Sequence, residues 1–478
     1  MSTDDQRTLR ANVLGTADTA MMAVAGSAPA YSIAASTATL VAVAGLASPA
    51  ALLYCGIPML GIAWAFSHLG RKDVNAGASY AWVGKALHPA LGFLSGWALI
   101  VSATIFMVAG SLPAGSLTLA LFSPSLATNT ALVTLVGAVW FAVMVTIVLL
   151  GAHITARAQW VMSSIEVFIL AVFVIIGFVR APHIAVHSFS LSWLGFGHFT
   201  GFSGFAASAL VAAFYYWGWD VAANLNEETR SARRSAGLGG IVGVLIVFAL
   251  FMGFTLLVNL LLTSADVSNN SGNLLFVLGQ SIWPGVGGKV LSIAAMLSTV
   301  ATLETTLIQV TRTMFAMGRD RTLAGAFGRT HRRWRTPWLA TIVVGAVSVV
   351  LFVLSNLLGS VGTIMTDAIS AIGLQIAFYY GLAGIAVVIS YRKEVLRSVR
   401  NAIFIGLWPL VGAVFLFWVF AESIRSNTAA VNYIGLGALA IGIVPLTIAW
   451  RRRSPYFQRT KAAEELPSAE PALAIDGG

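Results

Sequence analysis

The sequence predicts an all-α polytopic membrane protein with twelve transmembrane helices. Two broken spans divide it as a 5+5 inverted-repeat transporter fold with helices 1 and 6 broken, followed by two C-terminal helices. Three observations predict the membrane class. Of 478 residues, 58% are hydrophobic and 10% are charged; a soluble domain carries roughly 25% charged residues. Apolar runs of about 20 residues recur, the length that crosses a hydrocarbon core about 30 Å thick. Basic residues gather on alternate connections between those runs. A soluble enzyme, a nucleic-acid-binding protein and a disordered scaffold do not fit these features.

Apolar windows between polar, Gly or Pro breaks predict spans over 16–43, 48–68, 90–121, 130–150, 158–179, 203–226, 238–262, 287–314, 337–357, 366–390, 402–422 and 431–449. An even number places both chain ends on one side. With that side as the cytoplasm, 25 of the 28 Lys and Arg lie on inside segments, and Arg180, Lys289 and Arg425 lie outside. The net charge of +10 therefore reports topology. The basic residues are spread over many short loops and no nucleic-acid-binding motif accompanies them, so no nucleic-acid partner is expected. Residues 1–15 then form a cytoplasmic N-terminus and 16–450 the transporter domain. Within it the repeats cover 16–179 and 203–390, and helices 11 and 12 cover 402–449. Residues 451–478 mix Arg, Glu, Pro and Ala and read as a disordered cytoplasmic tail. The single cysteine, Cys55, reads as a small core residue, so neither a disulfide framework nor a thiol metal site is expected.

Two spans differ from the rest. The first is interrupted by Gly26-Ser27-Ala28-Pro29 and the sixth by Trp217-Gly218-Trp219-Asp220. Glycine permits unwound backbone, and proline cannot continue a hydrogen-bond ladder but suits a new helix start. Irregular backbone at membrane depth survives only where it lines a cavity or is buried in protein. Paired breaks in corresponding positions of two halves point to a transporter's binding site. Units of five spans contain an odd number, so the second unit sits inverted relative to the first.

At these residues the chain resembles the amino acid–polyamine–organocation (APC) transporter superfamily, from about residue 15 to 450. Gly26 and Ser27 match that family's Gly-Ser-Gly unwinding, from which Ala28-Pro29 depart. The run Ala76 to Val83 is similar to its Gly-rich, Tyr-containing cytoplasmic segment, and Gly92-Phe93 with Gly96-Trp97 to the start of its third span. Phe214 to Asp220 resembles its aromatic-Gly-aromatic-Asp signature; Glu227-Glu228-Thr229 with Arg233-Arg234 resembles the acidic-then-basic end that follows. Thr311-Arg312, Gly318-Arg319-Asp320 and Thr336-Pro337 follow the family's arrangement, while Val74, Ala232 and Ala324 stand where it has proline. The resemblance implies a substrate-gating role for Trp217. It also places Glu166 where some members carry a coupling lysine, and Glu304 where an amide or small polar residue is common.

The expected substrate site follows from the breaks. The half-helix beginning near Pro29 turns its positive end to the cavity, which suits a carboxylate; carbonyls near Met22–Gly26 suit an ammonium. Pro29 has no N–H, so the donors are Ser27, Ala28 and Ala30. Tyr216, Trp217 and Trp219 beside Gly218 offer an aromatic wall for cation–π contact, with packing or interface anchoring as the competing reading. Three acids lie at membrane depth: Glu166, Asp220 and Glu304. An ionised carboxylate at the bilayer centre costs about 2.5–3.5 kcal/mol, so each is protonated, hydrated or paired with a mobile cation. Glu166 and Asp220 are the expected proton-coupling residues and Glu304 a substrate-binding one; a structural hydrogen bond is the alternative for each. Asp18 and Asp367 read as caps or interface residues, and Glu227 and Glu228 as gate or loop partners of Arg230 and Arg233.

No GxxxxGK[ST] phosphate loop occurs, so ATP-driven transport is not expected. No catalytic constellation, metal site or cofactor is expected either. The function predicted is a permease of the cytoplasmic membrane working by alternating access on an amino acid or amine, leaning to cationic substrates. Proton symport is the favoured coupling and substrate exchange the second; the alternatives are a substrate/product exchanger for neutral amino acids, or a channel-like or receptor membrane protein. The partners expected are that small molecule, the proton and the lipid bilayer, with the protein a monomer or homodimer.

Overall fold

A computed structural model describes residues 8–355 and 361–458. Among the described residues, ten helices are long and apolar enough to cross a membrane. They leave Val139, Phe168, Ile175, Val350 and Val414 exposed around the outside. A water-soluble monomer rarely exposes broad apolar surface, whereas helices that satisfy their own backbone can meet hydrocarbon. The chain is a multi-pass membrane protein.

The first apolar stretch is not one rod. It folds as α1 (Thr16–Ser27), α2 (Pro29–Ala44) and α3 (Ser48–Lys72). Asp18 caps α1: its Oδ2 accepts the Gly15 N–H at 2.7 Å, and its Oδ1 accepts the Trp160 indole N–H at 2.7 Å. Ala28 ends α1 in the left-handed region (φ 47°, ψ 63°), and Pro29 restarts the chain as the first residue of α2. Proline suits that position because the first helical N–H has no intrahelical acceptor.

The other principal helices are α4 (Ser79–Ala86), α5 (Pro89–Ala120), α6 (Thr130–Leu150), α7 (Ala152–Ile184), α8 (Gly201–Tyr215), α9 (Val221–Asn224), α10 (Ala232–Leu261), α11 (Gly287–Arg319), α12 (Trp338–Ser355), α13 (Val361–Ser390), α14 (Trp408–Ser426), α15 (Ala429–Ile441) and α16 (Ile443–Arg451). Helix α11 forms the centre and packs on α5, α7 and α2, while α1 packs on α10 and α2 on α8. Asp367 lies two turns into α13 and is partly buried.

The last apolar run, read as one span over 431–449, is two helices meeting at Gly442. Two local causes act together. Trp97 donates its indole N–H to the Ala438 carbonyl at 2.8 Å, and its ring lies where a side chain on residue 442 would stand. Pro445, lacking an N–H, cannot bond back to Ile441.

The segments next to both described chain ends meet on one face. There Leu14 forms an isolated parallel bridge with Thr229, and Val13 and Leu14 donate to the Glu228 carbonyl at 2.9 and 3.1 Å. The chain after α16 continues into this face. Ser454 Oγ donates to the Asp320 carbonyl at 2.7 Å, the Tyr456 hydroxyl to the Tyr80 carbonyl at 2.9 Å, and the Tyr456 ring stacks on Tyr80 at 4.7 Å. Residues 454–458 of the segment read as a disordered tail therefore begin packed; 459–478, like 1–7, lie outside the described residues. On the opposite face a crevice of about 140 Å³ opens between α2, α8, α13 and α14, lined by Ala35, Phe214, Gly373 and Val419 among others.

Candidate functional site

The two helix breaks touch. Gly26, the last residue but one of α1, lies against Gly218 in the irregular stretch after α8. A Cβ on Gly26 would enter the Gly218 carbonyl, standing 2.9 Å from its carbon and 3.2 Å from Val221 Cγ1. A Cβ on Gly218 would collide with the Gly26 carbonyl in return, and Gly218 has φ +98°, which side chains resist. Only glycine at both positions lets the backbones meet.

Every N–H in the first turn of α2 has a protein partner. Pro29 has none to offer. Ala30 donates to Glu166 Oε1 at 2.9 Å, Tyr31 to Ser298 Oγ at 3.2 Å, and Ser32 to the Ala28 carbonyl at 2.8 Å. The end of α1 is similarly engaged: Ala28 N–H donates to the Ala25 carbonyl at 3.2 Å, the Thr302 hydroxyl donates to it at 2.8 Å, and Ser27 Oγ donates to the Ala23 carbonyl at 3.1 Å. Of the expected carboxylate donors, Ala28 is spent within the break and Ala30 is held by Glu166.

Asp220 sits below the second break, fully buried, and accepts from two tyrosines of α13: Tyr379 at 3.0 Å on Oδ2 and Tyr380 at 2.8 Å on Oδ1. Tyr379 in turn accepts the Trp217 indole N–H at 2.8 Å. The Trp217 ring meets Phe106 edge-on at 5.4 Å, and Phe106 meets Tyr31 of α2 at 5.9 Å. This aromatic chain joins both breaks. Tyr216 and Trp219 face elsewhere: Tyr216 donates to the Leu52 carbonyl at 2.8 Å beside Phe248 and Phe251, and Trp219 packs on Phe66 and Tyr380. Of the three aromatics expected to form a wall, Trp217 joins the site and the other two anchor it.

Glu304 is also turned away from the breaks. Thr302 and Ser298, one turn apart on α11, face α1 and α2, whereas residue 304 is about 200° further round than 302. Its Oε2 accepts from Gln159 Nε2 of α7 at 2.6 Å, and the Thr155 side chain, one turn earlier on α7, also faces the carboxyl. Glu166 Oε2 is buried too, with the Ser298 side chain facing that carboxyl. Arg425 pairs with Glu422 at the end of α14, while the more buried ion pairs lie on the terminal face.

Those pairs are not the ones expected from sequence. Glu228 takes a two-pronged bond from Arg312 (Nε–Oε2 2.9 Å, Nη2–Oε1 3.2 Å), and Glu227 one from Arg319 (2.8 and 3.0 Å). Arg230 instead donates from Nε to the Asn12 carbonyl at 2.9 Å. The positive φ at Ser231 turns the chain into α10 and carries Arg233 outward, so the acids reach across to α11.

Sequence reasoning missed Tyr379, Tyr380, Phe106, Ser298, Thr302 and Gln159. A hydroxyl or amide at membrane depth needs a partner, and the adjacent tyrosines mid-span were the available signal. Replacing Tyr379 with Phe strands both the Trp217 N–H and Asp220 Oδ2, at about 1–3 kcal/mol per buried group. Tyr380→Phe strands one acceptor. The larger fall in thermal midpoint is expected for Tyr379→Phe; equal falls would count against the relay.

The amino acid permease family model matches residues 14–444. The chain belongs to the amino acid permease family. It is similar to the serine/threonine exchanger of Bacillus subtilis (strain 168), 23% identical over 82% of this chain and 86% of the relative. The low-affinity putrescine importer of Escherichia coli (strain K12) is 24% identical over 86% and 88%. The methylthioribose transporter of Bacillus subtilis is 24% identical over 83% and 85%. This permease is a transporter and not an enzyme.

Proposed function

We propose that the permease moves an amino acid or related amine across the cytoplasmic membrane by alternating access, with both termini cytoplasmic. The observation that carries this reading is the backbone contact of Gly26 with Gly218, bordered by the buried acids Glu166 and Asp220. Two half-helices that share one contact and meet different helix sets can rock about it while the site stays fixed. In this reading Thr16–Lys72 crosses twice and α8 with α9 makes a further crossing, giving twelve, divided into repeats at 16–179 and 203–390 with two helices after them. The oligomer is a monomer or homodimer.

Buried acids without a cationic partner support a leaning to positively charged substrates and to proton symport. Gly26, Ser27, Ala28, Ala30, Trp217 and Gly218 border the proposed substrate, with Tyr216 and Trp219 behind them; Glu166 and Asp220 are the proposed proton sites, and Glu304 tunes selectivity from α7's side. Uptake into proteoliposomes with and without an imposed pH gradient tests the coupling. Faster uptake down an inward proton gradient is expected, and identical rates eliminate proton symport. Glu304→Gln is expected to weaken the preference for arginine over a neutral amino acid, and an unchanged preference removes Glu304 from selectivity. Exchange is the second reading, supported by the relative named an exchanger; dependence of uptake on internal substrate measures it.

A further inference from the structure

The start of α2 is an anion seat at the junction of the breaks, since the N–H groups of a helix's first turn and the helix dipole favour negative charge. In this chain the seat is filled from within. Glu166, fully buried on α7, places Oε1 2.9 Å from the Ala30 N–H, while Ser298 and Ala28 take the next two donors. No N–H of that first turn is left for a second carboxylate. A substrate carboxylate arriving there meets Glu166 as a like charge or must evict it, and two carboxylates at contact distance do not both ionise. The remaining Glu166 oxygen, Oε2, is buried, with no hydrogen bond as close as the one from Ala30, and the Ser298 side chain is the other polar group facing the carboxyl. It is an acceptor, complementary to an ammonium and not to an acid.

We propose that Glu166 is a built-in carboxylate occupying the seat of a substrate's own, so that this permease takes amines lacking a carboxylate, such as diamines and amino alcohols, in preference to their parent amino acids. The assignment rests on the permease reading above and narrows it. It makes Glu166 a specificity residue as well as a proton site. The same contact that excludes the acid leaves an oxygen for the amine.

Matched pairs that differ by one carboxylate test it: cadaverine against lysine, putrescine against ornithine, and ethanolamine against serine. The readouts are calorimetric binding to the purified full-length protein and counterflow in proteoliposomes. In the wild type the amine of at least one pair is expected to bind about tenfold or more tighter than its amino acid. Glu166→Ala frees the Ala30 N–H and is expected to shrink that ratio about tenfold. Glu166→Gln keeps an acceptor on Ala30 without the charge, so the amino acid stays excluded while the amine weakens. If Glu166→Ala does not fold, the wild-type ratios and Glu166→Gln decide. Wild-type binding of the amino acids equal to or tighter than the amines overturns the assignment and leaves the permease standing. Absence of binding and counterflow for both members of every pair overturns the amine permease and the assignment with it.

Discussion

Replacing Gly26 or Gly218 with alanine is expected to abolish transport, with uptake reduced at least about tenfold. Each new methyl group lands on a backbone carbonyl across the contact, and backbone gives way less readily than a flexible side chain. Forcing atoms into a well-packed interior costs about 1–3 kcal/mol. At position 218 a sparsely populated backbone conformation (φ +98°) adds about 1–3 kcal/mol. Gly218→Ala should therefore lower the thermal midpoint more than Gly26→Ala, while both lose uptake. The double variant should be less damaged than the two effects added, since one separation of the backbones relieves both collisions. Normal uptake by either single variant would falsify the contact as the working junction.

The second large effect concerns the buried pair of Glu228 and Arg312, whose side chains are 1% and 0% exposed. Arg312→Ala leaves an uncompensated buried carboxylate and is expected to cost about 3–5 kcal/mol. The Glu228 residue also carries the carbonyl that holds Val13 and Leu14, so the damage should spread to the segment before α1. Replacing both partners with methionine removes the stranded charge and should recover most of the lost stability, because a desolvated ion pair gains little over apolar packing. Arg319→Ala is the contrast. Its pair with Glu227 is 29% and 17% exposed, and water shares in the charge, so about 1 kcal/mol or less is expected. Thermal midpoints of the three variants decide this: a double variant no more stable than Arg312→Ala refutes the argument.

How much of this was legible in the sequence depends on the range of the physics involved. The breaks at Ala28 and Gly218 are local chemistry, a proline without an N–H and glycines without a Cβ, and the chain alone carries them. The cap by Asp18 is local too. Partners are not. Asp220 finds its hydroxyls 159 and 160 residues away, and Glu228 passes over the nearby Arg230 for Arg312, 84 residues on. Nothing in composition or period encodes which face of α11 meets α7, so the sequence shows the depth of Glu304 and not its partner Gln159. Glu166 shows the same divide: its depth was readable, but its bond to Ala30, 136 residues away, was not.

The packing of Tyr456 has a practical corollary. Its hydroxyl occupies the space that side chains on Gly84 and Gly92 would fill, making it a stopper where α4 crosses α5, delivered by a stretch of chain remote from both. Reporters or purification handles spliced on directly after Arg453 would discard that stopper. Those joined beyond residue 458 leave it seated.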